Sequence, residues 1–170
     1  MITKIISGGQ TGIDRVGLNV GIFLGLKIGG WAPKYFTAED GHVPGLYELK
    51  EYPAPGYAMR TEQNILDSDA TLIFKPAMHY SRGTSLTIKL CQRHDVPYEV
   101  IDACDGFEEN IEKISKWLEK TKARVLNVAG PRQSVLDQWV RTKHPYPKIS
   151  YAHKCSEILK VAITRSQDRT

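Results

Sequence analysis

Apolar positions along the first 140 residues follow two alternating rhythms. Short unbroken runs at residues 2–7, in "LKIGG", in "DATLIFK" and in "ARVLNVAG" predict strands buried on both faces. Between them the spacing becomes helical. Residues 13–24 place Ile13, Val16, Leu18, Val20 and Leu24 among small residues, and "YAMRTEQNILDS" predicts a second helix. The stretch from "YSRGTS" to "YEVID" reads as loop, helix, turn and strand, the helix starting at Thr84 or Ser85 with Leu86, Leu90 and Cys91 as its buried face. "FEENIEKISKWLEK" is more clearly amphipathic, with Phe107, Ile111, Ile114, Trp117 and Leu118 on one stripe, and "QSVLDQWVRT" predicts a further helix. Residues 31–56 are punctuated by Pro33, Gly41, Pro44, Gly45, Pro53 and Pro55. A connection that long within one domain is usually functional or mobile.

Strands alternating with helices predict an α/β fold built on a mostly parallel sheet with helices on both faces. Residues 1–140 are expected to form one ligand-binding domain, followed at 141–170 by a C-terminal extension of uncertain structure. In that extension Pro145 and Pro147 break what precedes them, and "CSEILKVAI" fits a short helix or a strand.

In such a sheet the ligand crevice lies beyond the carboxyl ends of the strands. Three glycine-rich turns are expected there: "SGGQTG", "YSRGTS" and "AGPRQS". Each leads into a helix, whose first N–H groups and dipole favour an anion. The candidate anion-binding residues are Gly8, Gly9, Gln10, Thr11 and Gly12 in the first turn, Arg82, Gly83, Thr84 and Ser85 in the second, and Gly130 and Arg132 in the third. The first turn is neither a GxGxxG fingerprint nor a P-loop, so its glycines alone are equally consistent with tight helix–strand packing. Arg60 is expected to reach the phosphate or to brace Asp14. Trp31 is a candidate stacking wall or a core residue, with Tyr57 and Tyr80 weaker alternatives. Asp14, Glu39, Asp40 and Glu62 are the catalytic candidates, as acid, base or Mg²⁺ ligand; each is also explicable as a capped or solvated carboxylate. His42, His79 and His94 show no paired metal spacing, so no metal site is expected, and no nucleophile elbow surrounds Ser81 or Ser85.

Composition adds a little. The net charge of +4 draws much of its excess from the C-terminal third, through Lys143, Lys148, Lys154, Lys160, Arg165 and Arg169. A mild positive field suits an anionic partner. Without a basic block or a nucleic-acid motif, nucleic-acid binding is the weaker alternative. Cys91, Cys104 and Cys155 form no CxxC pair, which predicts reduced thiols and a cytoplasmic protein. No membrane span or signal peptide is expected.

The ordered stretches "SGGQTGIDR", "GGWAPK", "AEDG", "YAMRTEQNILDSDATLIF", "RGTSLT" and "NVAGPR" resemble the putative molybdenum carrier family, within a Rossmann-like nucleotide-binding group that includes lysine-decarboxylase-like proteins. The resemblance spans residues 1–134. It implies a Rossmann-like doubly wound domain that self-associates as a dimer or tetramer. It also implies a phosphate-bearing ligand: molybdenum cofactor, which is a pterin with a terminal phosphate, or a nucleotide. Mg²⁺ enters only if the chain is a hydrolase of nucleotides or nucleoside derivatives. Related phosphoribohydrolases carry a PGGxGTxxE pattern. Here Gly83 and Thr84 match the GT, but Arg82 replaces a glycine and Thr87 stands at the glutamate, which puts that activity in doubt. Ala32 occupies a position that is often cysteine in carrier-like relatives.

Overall fold

The computed structural model describes residues 1–77, 81–143 and 150–169. The buried apolar runs form strands β1 (Lys4–Ile6), β2 (Lys27–Gly29), β7 (Ala70–Phe74), β8 (Tyr98–Ile101) and β9 (Val125–Ala129). Between β2 and β7 lie four two-residue strands: β3 (Trp31–Ala32), β4 (Thr37–Ala38), β5 (Gly41–His42) and β6 (Lys50–Glu51). The helices are α1 (Ile13–Phe23), α2 (Tyr57–Leu66), α3 (Arg82–Arg93), α4 (Phe107–Thr121), α5 (Gln133–Lys143) and α6 (Tyr151–Asp168).

The main sheet runs β2-β1-β9-β7-β8, and every pairing in it is parallel. Its last strand is therefore its middle one. Counting from β9 instead of β1, the order becomes third, second, first, fourth, fifth, which is the arrangement of a doubly wound sheet. The chain is a circular permutation of that arrangement. Its two ends fit the description: the Gln167 side chain donates to the Ile2 carbonyl at 3.1 Å.

The expected mostly parallel sheet with helices on both faces is what forms. One face packs β1, β7 and β9 under α1, α4 and α6 in a single core that includes Ile5, Leu72, Phe74, Leu126 and Val128. On the other, α2 and α3 join through Ile65, Leu90 and Cys91. Helix α6 comes from the stretch that sequence left undecided. It buries Tyr151, Cys155, Ile158, Leu159, Ala162 and Ile163 in the main core. Ser150 caps it, accepting from the His153 N–H at 3.1 Å. Its basic residues are largely spent on neighbouring acids: Arg165 meets Glu108 at 3.1 Å, and Arg169 meets Glu112 at 3.0 Å.

Two expectations need adjustment. Helix α3 begins at Arg82, not Thr84, because the Ser81 hydroxyl accepts from the Thr84 N–H and serves as its cap. Phe107 starts α4 with about half its surface exposed, while Ile111, Ile114 and Leu118 keep the expected buried stripe. The long connection is more ordered than its proline content suggests. β4 and β5 form a hairpin with Glu39 and Asp40 at its tip, β3 pairs with β6, and Val43 and Tyr47 pack against Leu18 of α1. Among the described residues, no helix is long and apolar enough to cross a membrane.

Candidate ligand-binding site

The three glycine turns follow β1, β7 and β9, which are neighbours at the centre of the sheet. All three therefore open at one edge. They bound a cavity of about 650 Å³. The first turn contributes Gly8 and Gln10 to its wall, the second Arg82 and Gly83, and the third Gly130 and Arg132. Helix α2 adds Tyr57 and Arg60 from the side. The N-terminal ends of several helices thus point at one space, where their dipoles favour an anion. Three arginines and Asp14 are the charged residues of the wall, a balance of the same sign.

Arg60 is the most unusual member. It is 8% exposed, and its contact with a carboxylate is a single long one, Nη1 to Asp14 Oδ2 at 3.4 Å. Its Nε is buried with no hydrogen-bond partner among the described residues. A guanidinium offers five N–H donors, so most of this one remains available. Gly8 makes the placement possible: a Cβ there would sit 1.4 Å from Arg60 Nη1. Asp14 is buried beside it and also accepts from the Gln10 N–H at 3.3 Å. Burial pushes its carboxyl up from the usual range, opposed by the Arg60 charge and the Gln10 hydrogen bond.

The comparisons agree with the topology. The model of the circularly permutated YpsA SLOG family matches residues 5–144. The chain belongs to that family. The crystal structure of a protein from Syntrophus aciditrophicus SB, named "Putative molybdenum carrier protein", is 38% identical to this SLOG-family chain, covers 95% of each of the two chains and has a TM-score of 0.81. No curated protein matches.

Other candidates of this SLOG-family protein lie around the cavity without lining it. Gly9 faces Val43 and Leu49 of the long connection. Gly12, at φ +77°, packs against the Pro131 carbonyl and so joins the first turn to the third. Thr11 donates to Glu39 and accepts from the Gln133 N–H. Ser85 is absent from the wall, and Thr84 is buried with its hydroxyl unpartnered among the described residues.

Trp31 stands outside the cavity. Its indole N–H donates to Asp67 at 2.7 Å and its ring meets Tyr52 edge-on, so Tyr57 is the aromatic on the wall. Tyr80 and His79 lie outside the described residues.

The remaining acids hold structure together. Glu39 accepts from the Ser134 N–H at 3.0 Å and its hydroxyl at 2.6 Å, clamping the hairpin tip to the start of α5. Burial raises its carboxyl, but hydrogen bonds from Ser134 and Thr11 and the Arg132 charge outweigh it and hold it below the usual range. Asp40 takes both ends of the Arg15 guanidinium, at 2.6 and 2.8 Å. Glu62 leaves the far side of α2 and meets His94, just past the end of α3, at 2.6 Å. It diverges from Arg60 because residues two apart on a helix face different ways. Among the described residues, no group of three His, Cys, Asp or Glu side chains is placed to hold a metal ion.

Sequence reasoning missed Asn127, Thr61 and Thr87, which also line the cavity. Asn127 had a readable signal: it is a lone polar residue inside the apolar run "VLNVA".

Proposed function

We propose that this chain binds and carries a small phosphorylated heterocycle in the cavity. The phosphate lies among the three glycine turns and the arginines. The observation that supports this reading is Arg60, a buried guanidinium on the cavity wall with its Nε unpartnered. Burying a cation whose charge is met only by one long carboxylate contact and by the Tyr57 ring, 6.0 Å away, costs stability unless something else completes its shell, and a phosphate does so. The ligand is molybdenum cofactor or a nucleotide. The relative's name brings the molybdenum form into the reading, and the phosphate is common to both. Self-association as a dimer or tetramer belongs to the same proposal and is read by light scattering.

Calorimetric titration with GMP, guanosine and isolated molybdenum cofactor tests the binding. GMP or the cofactor is expected to bind at least tenfold tighter than guanosine. Arg60→Ala should remove that advantage, since a charge-assisted hydrogen bond is worth about 1.5–3 kcal/mol, or roughly tenfold to a hundredfold in affinity. Equal losses for GMP and guanosine would show that Arg60 does not read the phosphate.

A second reading, hydrolysis of a nucleotide or nucleoside derivative, draws on Asp14. This carboxyl is on the cavity wall, and burial pushes it above the usual carboxylate value against the pull of Arg60. Mg²⁺ belongs to this reading alone. Product formation by the natural chain, lost in Asp14→Asn, supports it; an inert panel of nucleotides with Mg²⁺ leaves binding without chemistry.

A further inference from the structure

We infer that the inner end of the cavity, between α2 and α3, takes a ring edge rich in N–H donors: the 2-amino lactam edge of guanine and pterins. The inference rests on the phosphate reading above, which fixes the other end of the ligand.

Thr61 and Thr87 face the cavity from α2 and α3, and Asn127 lies in the strand between the first and second turns. The Thr61 hydroxyl donates to the Tyr57 carbonyl at 2.8 Å, and the Thr87 hydroxyl donates to the Gly83 carbonyl at 3.1 Å. A hydroxyl has a single proton, so what these two offer a ligand is lone pairs. Asn64, also on the wall, accepts from the Trp31 N–H at 2.8 Å and gives one N–H to the Trp31 carbonyl at 3.0 Å, which leaves it one further N–H. Asn127 gives one N–H to Thr71 Oγ1 at 3.2 Å. That leaves its carbonyl oxygen and one further N–H.

Thr61, Thr87, Asn64 and Asn127 therefore each offer the slot an acceptor lone pair, against two side-chain N–H groups, one from each amide. A lactam matches Asn127 directly, its C=O accepting the amide N–H while its ring N–H donates to Oδ1. A 2-amino group then supplies hydrogens for the threonine oxygens. A ring edge bearing only acceptors would set lone pair against lone pair at the threonines, and hydrogen bonds left unmade beside the buried Thr87 and Asn127 are costly. Leu86 supplies an apolar surface for the ring.

GMP and IMP test this, because they differ only by the 2-amino group. Calorimetry on the full chain is expected to show GMP binding about three- to tenfold tighter than IMP, the worth of one neutral hydrogen bond. Thr87→Val keeps the shape and removes the acceptor; it should weaken GMP and leave IMP unchanged. Thr61→Val serves the same purpose should the first variant fold poorly. Equal affinity for GMP and IMP, with both tighter than their nucleosides, overturns the slot assignment and leaves the phosphate reading standing. A GMP preference undiminished in both threonine variants and in Asn127→Leu also overturns it. Failure of GMP, IMP and isolated molybdenum cofactor all to bind sinks both readings.

Discussion

Arg60 can lie across the first turn only because residue 8 has no side chain. A methyl group there would collide with the guanidinium, not with backbone, so the arginine would move and the strand would not. Gly8→Ala is thus expected to fold normally, with a melting temperature close to that of the natural chain, yet to lose phosphate affinity about as severely as Arg60→Ala. Calorimetry beside a thermal melt separates the two effects. Glu39 gives a prediction with pH. Its folded carboxyl titrates below the usual value, so the stability it contributes is fully present above the unfolded value near 4.5 and disappears as pH falls through the lower folded value. The stability gap between the natural chain and Glu39→Gln, measured by urea unfolding, should be open at pH 7 and close toward pH 3. Gly8, Arg82, Gly83, Gly130 and Arg132, which bound the cavity, could be picked out as candidates because each belongs to a turn whose pattern is local. The role of Glu39 was not, because its partner Ser134 is 95 positions away. Trp31 misled for a related reason: an indole suits stacking and packing alike, and only Asp67, brought near by α2, decides between them.

Secondary elements were readable wherever the hydrophobic period was long enough to repeat. α4 shows its stripe over four turns, and β7 is a buried five-residue run. The two-residue strands of the long connection have no such signal, since their pairing depends on residues far along the chain. α6 was ambiguous for a different reason. Its buried face was read in isolation from α1 and α4, which it covers, so an apolar run of nine residues fitted either element. Its place in the core makes a strong prediction. Ile158 is fully buried, and Ile158→Ala should cost about 2–5 kcal/mol in urea unfolding, as for any large-to-small change in a packed interior. A cost below about 1 kcal/mol would mean that the helix is a loosely attached appendage.

At the scale of the molecule, the sheet class was legible and the strand order was not. Alternating strands and helices call for a parallel sheet, but nothing local to "RVLNV" says that it lies between β1 and β7. That placement comes from contacts across more than a hundred residues, such as Ile5 with Leu126. It has a direct consequence for the site, because β9 brings the third turn between the other two. Had β9 been an edge strand, Arg132 and Arg60 could not share a cavity.

The same placement bears on how the protein is made. Synthesis delivers β1, β2, β7 and β8 first, as two parallel pairs with nothing between them. Each pair holds open the strand edge that β9 will later occupy, and open edges invite pairing with other chains. At about 5–20 residues per second, the ribosome needs several further seconds to finish β9 and the helices behind it. The nascent chain is therefore exposed to aggregation late in synthesis, and the final quarter of the sequence closes the sheet. A fragment of residues 1–124 is expected to show no cooperative unfolding transition and to scatter light at micromolar concentration, whereas the full chain unfolds in one step. A fragment that melts cooperatively by itself would show that the two pairs do not depend on the strand between them.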